Sequence, residues 1–277
     1  MPPARGDAKR KLSATIAAIA DLVFGIEHKL DMTATVGIGM PGAISPLTGL
    51  VKNANSVWLN GRPLQRDLEA ALGRPVRLAN DANCFTLSEA IDGAAAGLGT
   101  VFGVILGTGV GGGVAVHRRI LVGANAIAGE WGHTPLPWPT ADELPGPPCY
   151  CGRRGCIETF LSGPGLAADH RRHTGQDLAA ADIAAAAERG APLPLATLER
   201  YAERLARGLA MIVNLFDPDA IVLGGGLSAL AMLYDRVPLS WSRWIFSDAV
   251  NTRLLAPRHG DSSGVRGAAW LWPDGMP

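Results

Sequence analysis

Leu12, Ile16, Ile19, Val23 and Ile26 recur at helical spacing, so the chain is expected to open on an amphipathic helix. Asp21 breaks the apolar run and no small-residue cleavage site closes it, which sets aside a secretion signal. Residues 35–40 read as a short buried strand stopped by Pro41-Gly42. A helical pattern over 63–73, a strand at Val76-Arg77-Leu78 and a second helix over 82–96 follow, the last starting at the polar Asn80-Asp81 step. A second cycle runs from an apolar strand at 100–106 through a glycine-rich turn to Val114-Ala115-Val116. A long helix around 196–216 and a strand at 220–223 complete it. This alternation predicts an α/β fold with a mainly parallel sheet. The chain is expected to divide near residue 98, with 1–98 and about 260–277 in one domain and 99–259 in the other. Residues 263–272 would cross back to the first domain as a helix.

Composition narrows the partners. Of 277 residues, 25 are Lys or Arg and 25 Asp or Glu, so no net field exists to hold nucleic acid or an anionic membrane. No stretch approaches the roughly 20 uninterrupted apolar residues that span a bilayer. The 35 glycines and 20 prolines are dispersed, which implies many turns and close backbone approaches rather than a low-complexity linker. Three of the four cysteines crowd into residues 149–156, which suits a metal cluster better than a disulfide framework and points to the cytoplasm.

Asp81 falls where a strand ends and a helix begins, the edge at which α/β sheets bind ligands, so its carboxylate is a candidate base. Helix capping explains an Asp there equally well. Gly107, Thr108, Gly109 and Gly111 form a run whose unobstructed N–H groups could face nucleotide phosphates. No Gly-Lys-Ser/Thr follows and a strand comes next, which excludes a Walker loop and a dinucleotide fingerprint. Gly224, Gly225 and Gly226 follow a buried strand in the same manner; a tight turn accounts for either run taken alone. Cys149, Cys151 and Cys156 with His133 supply the ligands of a closed tetrahedral zinc site, structural because no position stays open for water. Glu130 and Glu158 flank that cluster and could accept hydrogen bonds from sugar hydroxyls; exposed surface charge is the plainer alternative. Cys84 reads as a small buried hydrophobe, and Trp270 and Trp272 as core anchors.

The runs Asn80-Asp81-Ala82-Asn83, Gly107-Thr108-Gly109, Gly129-Glu130-Trp131-Gly132-His133 and Cys-x-Cys-Gly-x-x-Gly-Cys-x-Glu from Cys149 to Glu158 resemble, in order, the ROK family of sugar kinases and repressors. Pro135-Leu136-Pro137-Trp138 and the segment beginning His259-Gly260-Asp261 look most like its bacterial fructokinases, with N-acetylglucosamine kinases as near relatives. The resemblance implies an actin-like two-domain α/β fold with hexose and ATP meeting in the cleft. Asp81 would take the proton of the attacking hydroxyl; Asn55, Asn80, Glu130, His133 and Glu158 would hold the sugar. The two glycine turns would hold ATP, with Mg²⁺ on its phosphates and structural Zn²⁺ on His133 and the three cysteines. Fructose is the expected substrate, glucose, mannose or N-acetylglucosamine the alternatives, and relatives of this kind often form homodimers. Family kinases begin on a strand leading into Asp-x-Gly-Gly-Thr-Lys, a phosphate-gripping turn without a counterpart before the first helix here, so the first domain is expected to be incomplete. An inert sugar-binding remnant is therefore a competing expectation. A repressor is disfavoured because no basic helix pair precedes residue 30.

Overall fold

The computed structural model describes residues 5–272; the last five residues of the expected C-terminal segment, 273–277, lie outside it. The opening periodicity belongs to helix α1, Arg5–Leu30, which buries Leu12 and Ala20. Strand β1, Val36–Met40, pairs in parallel with β4, Val76–Asn80, in a register that sets Met40 against Asn80. Between them lie a small hairpin, β2 (Ala43–Ile44) and β3 (Val51–Lys52), and helix α2, Leu64–Leu72. Leu64, Leu68 and Leu72, at the i, i+4, i+8 positions of one face, pack with Val36, Val51 and Val76 into a first apolar core.

Helix α3, Asp81–Ile91, follows β4 without a loop. It is buried nearly all round, Thr86, Ser88 and Glu89 included, because it is packed from two sides. On one side lies a five-stranded sheet ordered β7-β6-β5-β8-β9. Its strands are β5 (Thr100–Leu106), β6 (Val110–Val116), β7 (Arg119–Ile120), β8 (Ala220–Gly224) and β9 (Arg253–Leu255). On the other side lies α9, Ser263–Ala269. Glycines permit the close approach. A Cβ on Gly103 would stand 2.0 Å from Thr86 Oγ1, and one on Gly267 1.6 Å from the Cys84 carbonyl oxygen.

The mainly parallel expectation needs correction: β1–β4, β5–β8 and β8–β9 are parallel, but β2–β3, β5–β6 and β6–β7 are antiparallel. Short connections force this, since only antiparallel neighbours can be joined by tight turns. The β6–β7 turn uses His117 and Arg118, both at positive φ, the backbone a two-residue hairpin requires.

Alternation along the strands divides the two faces of the sheet. Phe102, Val104, Leu106, Ile221 and Leu223 point into the largest core, while Val101, Ala220 and Val222 face the α3 side. The large core is roofed by α4 (Glu158–Leu161), α5 (Gly163–Thr174), α6 (Ala180–Glu188), α7 (Pro192–Phe216) and α8 (Met232–Trp241). Two arginines of α7 are buried and ion-paired. Arg204 meets Glu143 Oε1 at 2.7 Å and Asp169 Oδ1 at 2.8 Å, and Arg207 donates to both Glu143 oxygens at 2.8 Å. Among the described residues no helix is long and apolar enough to cross a membrane.

Candidate active site and metal centre

Asn80 and Glu130 line one cavity at the first turn of α3, which Asp81 opens. Asn80, not Asp81, caps that helix: its Oδ1 accepts the Ala82 N–H at 2.9 Å while its Nδ2 donates to the Gly42 carbonyl. Asp81 is thereby the first helical residue, accessible at its tip yet flanked by enough protein that desolvation raises its carboxyl, an effect the Ala82 N–H partly offsets. Burial also raises Glu130, His133 moderates that rise, and the charges of Asp81 and Glu158 add to it. Glu130 thus lies within the field of both other carboxylates.

Glu158 Oε2 accepts the Val110 N–H at 2.9 Å, which ties the metal segment to the glycine turn. A Cβ on Gly109 would stand 2.7 Å from the same oxygen, so a glycine there follows from Glu158 itself. The turn is tighter than expected. Gly107 N–H donates to the Gly109 carbonyl and β6 begins at Val110, so Gly111 is a strand residue, paired with Ile105. Likewise Gly224 ends β8, and a Cβ there would meet the Phe85 ring at 2.6 Å; packing against α3 explains it. Gly225, at φ +79°, makes the turn, and Gly226 opens a short 3-10 helix, Gly226–Ala229.

Gly107, Thr108 and Gly226 line one open cavity of about 770 Å³, walled by Pro164, Ala180 and Ala184 of α5 and α6. Nothing in the alanine-rich 179–185 stretch announces a ligand wall, because alanine carries no chemistry to read. A second, narrower cavity of about 110 Å³ lies between β1–β4 and residues 122–130. Asn80, Asn83 and Glu130 supply its polar lining, and Ile44, Val122 and Ile127 an apolar wall. Asn83 Oδ1 is buried there without a hydrogen-bond partner. Asn55 stands exposed on the loop before α2, outside that lining. A third depression, lined by Arg77, His117, Arg118 and Trp270, shares no residue with either cavity.

His133, Cys149, Cys151 and Cys156 place one ligand atom each within 4.8 Å of all the others. Cys151 Sγ and Cys156 Sγ are 3.6 Å apart, and Cys149 Sγ is 3.5 Å from His133 Nδ1. A tetrahedral zinc with ordinary bond lengths sets its ligands about 3.5–3.8 Å apart, so the donor set fits the ion. Burial raises Cys149 and pushes Cys156 up to about 12, whereas the Arg153 N–H holds Cys151 below the ordinary thiol range. Buried thiols of this kind ionise when a cation binds them. Tyr150, between two of these ligands, was not singled out by its residue type; its hydroxyl lies 2.9 Å from His133 Nε2. Partial desolvation of its hydroxyl and then the charges of Glu158, Cys149 and Glu130 push its phenol up to about 12, although the residue as a whole is exposed.

Two sheets sharing one buried helix, with cavities at its first turn and at the neighbouring glycine turn, place the molecule in the actin-like α/β class. Residues 6–275 match the model of the ROK family, and the chain belongs to that family. It is 40% identical over 262 residues to an N-acetyl-D-glucosamine kinase of Aliivibrio salmonicida, covering 93% of this chain and 85% of the relative. A ROK hexokinase from Thermus thermophilus superposes with a TM-score of 0.81 at 31% identity, over 93% of this chain and 85% of that one. A ROK glucokinase from Streptomyces griseus, solved with glucose and AMPPNP, gives 0.78 at 29% identity, over 95% and 88%. The finer likeness to fructokinases does not stand beside these relatives. His259, one of the residues that suggested it, is instead placed against Asp92, 3.3 Å from its carbonyl oxygen.

Proposed function

We propose that this protein transfers the terminal phosphoryl group of ATP to the carbon-six hydroxyl of N-acetyl-D-glucosamine. The observation that carries the reading is the narrow cleft, polar at Asn80, Asn83 and Glu130 and apolar at Ile44, Val122 and Ile127. The polar groups suit ring hydroxyls, and the apolar wall suits the methyl of an acetamido group, which fructose and glucose lack. One such methyl is worth about 1–3 kcal/mol of discrimination in an apolar pocket. The 40% identity to an N-acetyl-D-glucosamine kinase supports the same sugar.

In this reading Asp81 accepts the proton of the sugar hydroxyl as its oxygen attacks the terminal phosphorus and the bond to the ADP oxygen breaks. The raised carboxyl of Asp81 brings its proton affinity closer to neutral pH, as general-base work favours. Glu130, Glu158 and His133 orient the sugar, with Asn80 and Asn55 contributing at its rim. Gly107, Thr108, Gly109, Gly225 and Gly226 hold the nucleotide phosphates, and the alanine wall of α6 takes its apolar part. His133, Cys149, Cys151 and Cys156 would hold a zinc ion that fixes the segment between Trp131 and Glu158, and magnesium arriving with ATP would supply charge neutralisation at its phosphates. The test is ATP-dependent turnover by the purified chain with N-acetylglucosamine, glucose, mannose and fructose. Highest kcat/KM with N-acetylglucosamine is expected; a preference for fructose would overturn the assignment.

A further inference from the structure

His133 presents its two nitrogens to different neighbours. Nδ1 faces the cysteine cluster, 3.5 Å from Cys149 Sγ, and Nε2 meets the Tyr150 hydroxyl at 2.9 Å. With a metal on Nδ1 the ring proton resides on Nε2, so His133 donates and the phenol oxygen accepts. The imidazole and phenol rings stand edge to face, centroids 5.0 Å apart. Little else restrains the tyrosine. Its residue is 82% exposed, and among the described residues its hydroxyl has no second hydrogen-bond partner. The backbone is held on both sides, since Cys149 N–H donates to the Arg153 carbonyl and Gly152 N–H to the Cys149 carbonyl. Only side-chain rotation is free.

In the proposed reading His133 holds the sugar, so a hydroxyl on the ring nitrogen turned away from the cysteines stands in the place of a sugar hydroxyl. We propose that Tyr150 is a latch that imitates substrate: its phenol occupies His133 Nε2 in the empty protein and swings out when a sugar hydroxyl takes that nitrogen. The inference rests on the reading that sugar binds at His133. It makes Tyr150 a specificity-tuning residue, because a ligand gains His133 only by outbidding the chain's own hydroxyl.

Sugar binding without nucleotide, measured by calorimetry and stopped-flow with N-acetylglucosamine on the zinc-loaded chain, separates the possibilities. Tyr150→Phe keeps the ring and removes the competitor, so Kd is expected to fall about 2- to 10-fold, the worth of one exchanged hydrogen bond. The gain should lie in the association rate, because a larger fraction of the protein is then competent to bind. Zinc content and kcat at saturating sugar should stay unchanged. Tyr150→Ser, which also lacks the ring, should shift Kd the same way. An unchanged or weaker Kd in Tyr150→Phe, with wild type binding normally, overturns the latch and leaves the sugar site standing. No sugar binding by wild type overturns the site reading and the latch with it.

Discussion

Removing the charge of Glu143 tests the energetics of the metal lobe. Glu143 lies in the segment between His133 and Cys149, is 5% exposed, and meets Arg204 at 2.7 Å and Arg207 at 2.8 Å. Burial alone would raise its carboxyl; the Arg207 and Arg204 guanidiniums outweigh that and hold it at about 2, against an ordinary 4.5. A proton affinity depressed that far on folding stabilises the protein by about 3 kcal/mol at neutral pH. Breaking one member of a buried ion pair costs about 3–5 kcal/mol, which agrees. Because the folded value is the lower one, this stability is fully present above pH 4.5 and is lost as pH falls toward 2. Glu143→Gln, which resembles the protonated acid, should therefore be about 3 kcal/mol less stable than wild type at pH 7, with the gap narrowing steadily below pH 4.5. Urea unfolding followed by tryptophan fluorescence at several pH values reads it directly. Loss of zinc in acid affects both chains and cancels in the difference. A gap that stays constant with pH, or falls below about 1 kcal/mol at pH 7, would refute the reasoning.

Asp81→Asn should lower kcat by about 10²–10⁴ with sugar binding retained; near-normal turnover removes Asp81 as the base. Cys151→Ala should lose zinc and soluble protein together, and metal analysis of a well-folded, zinc-replete variant would dismiss the ligand set. Gly267→Ala puts a methyl against the Cys84 carbonyl and should lower stability by about 1–3 kcal/mol or more, whereas Gly264→Ala, with open space, should be nearly silent. Equal urea midpoints for those two variants would contradict the tight α3–α9 contact.

What could be read from the chain was the part with distinctive chemistry. The spacing of the cysteines and His133 is distinctive in residue type, and the structure gathers those four side chains, with Glu158 tied to the turn after Gly109. Strong periodicity likewise placed α2, β5 and α7 within a few residues. The remainder depends on tertiary contact. Whether Asn80 or Asp81 caps α3 is settled by where the Gly42 carbonyl lies, and the need for Gly224 comes from Phe85 on another element. The walls built by α5 and α6 are mostly alanine, and the hairpin of β2 and β3 is too short to leave a periodic trace. Tyr150 gave one visible signal, a bulky aromatic between two metal ligands, but only its distance to His133 gives that oddity a meaning.

The glycine contacts on both flanks of α3 have a mechanical consequence. Thr86 bears on Gly103 of one sheet, Cys84 bears on Gly267 of α9, and Glu89 at the helix's far end takes Ser263 Oγ at 2.7 Å and the Arg258 N–H at 3.1 Å. These contacts leave little room on either flank of the helix, and Asp81 is its first residue. A shift of α9 or of the large sheet would therefore press on the helix that opens at Asp81, so substitutions at these contacts, far from the cleft, should alter turnover as well as stability.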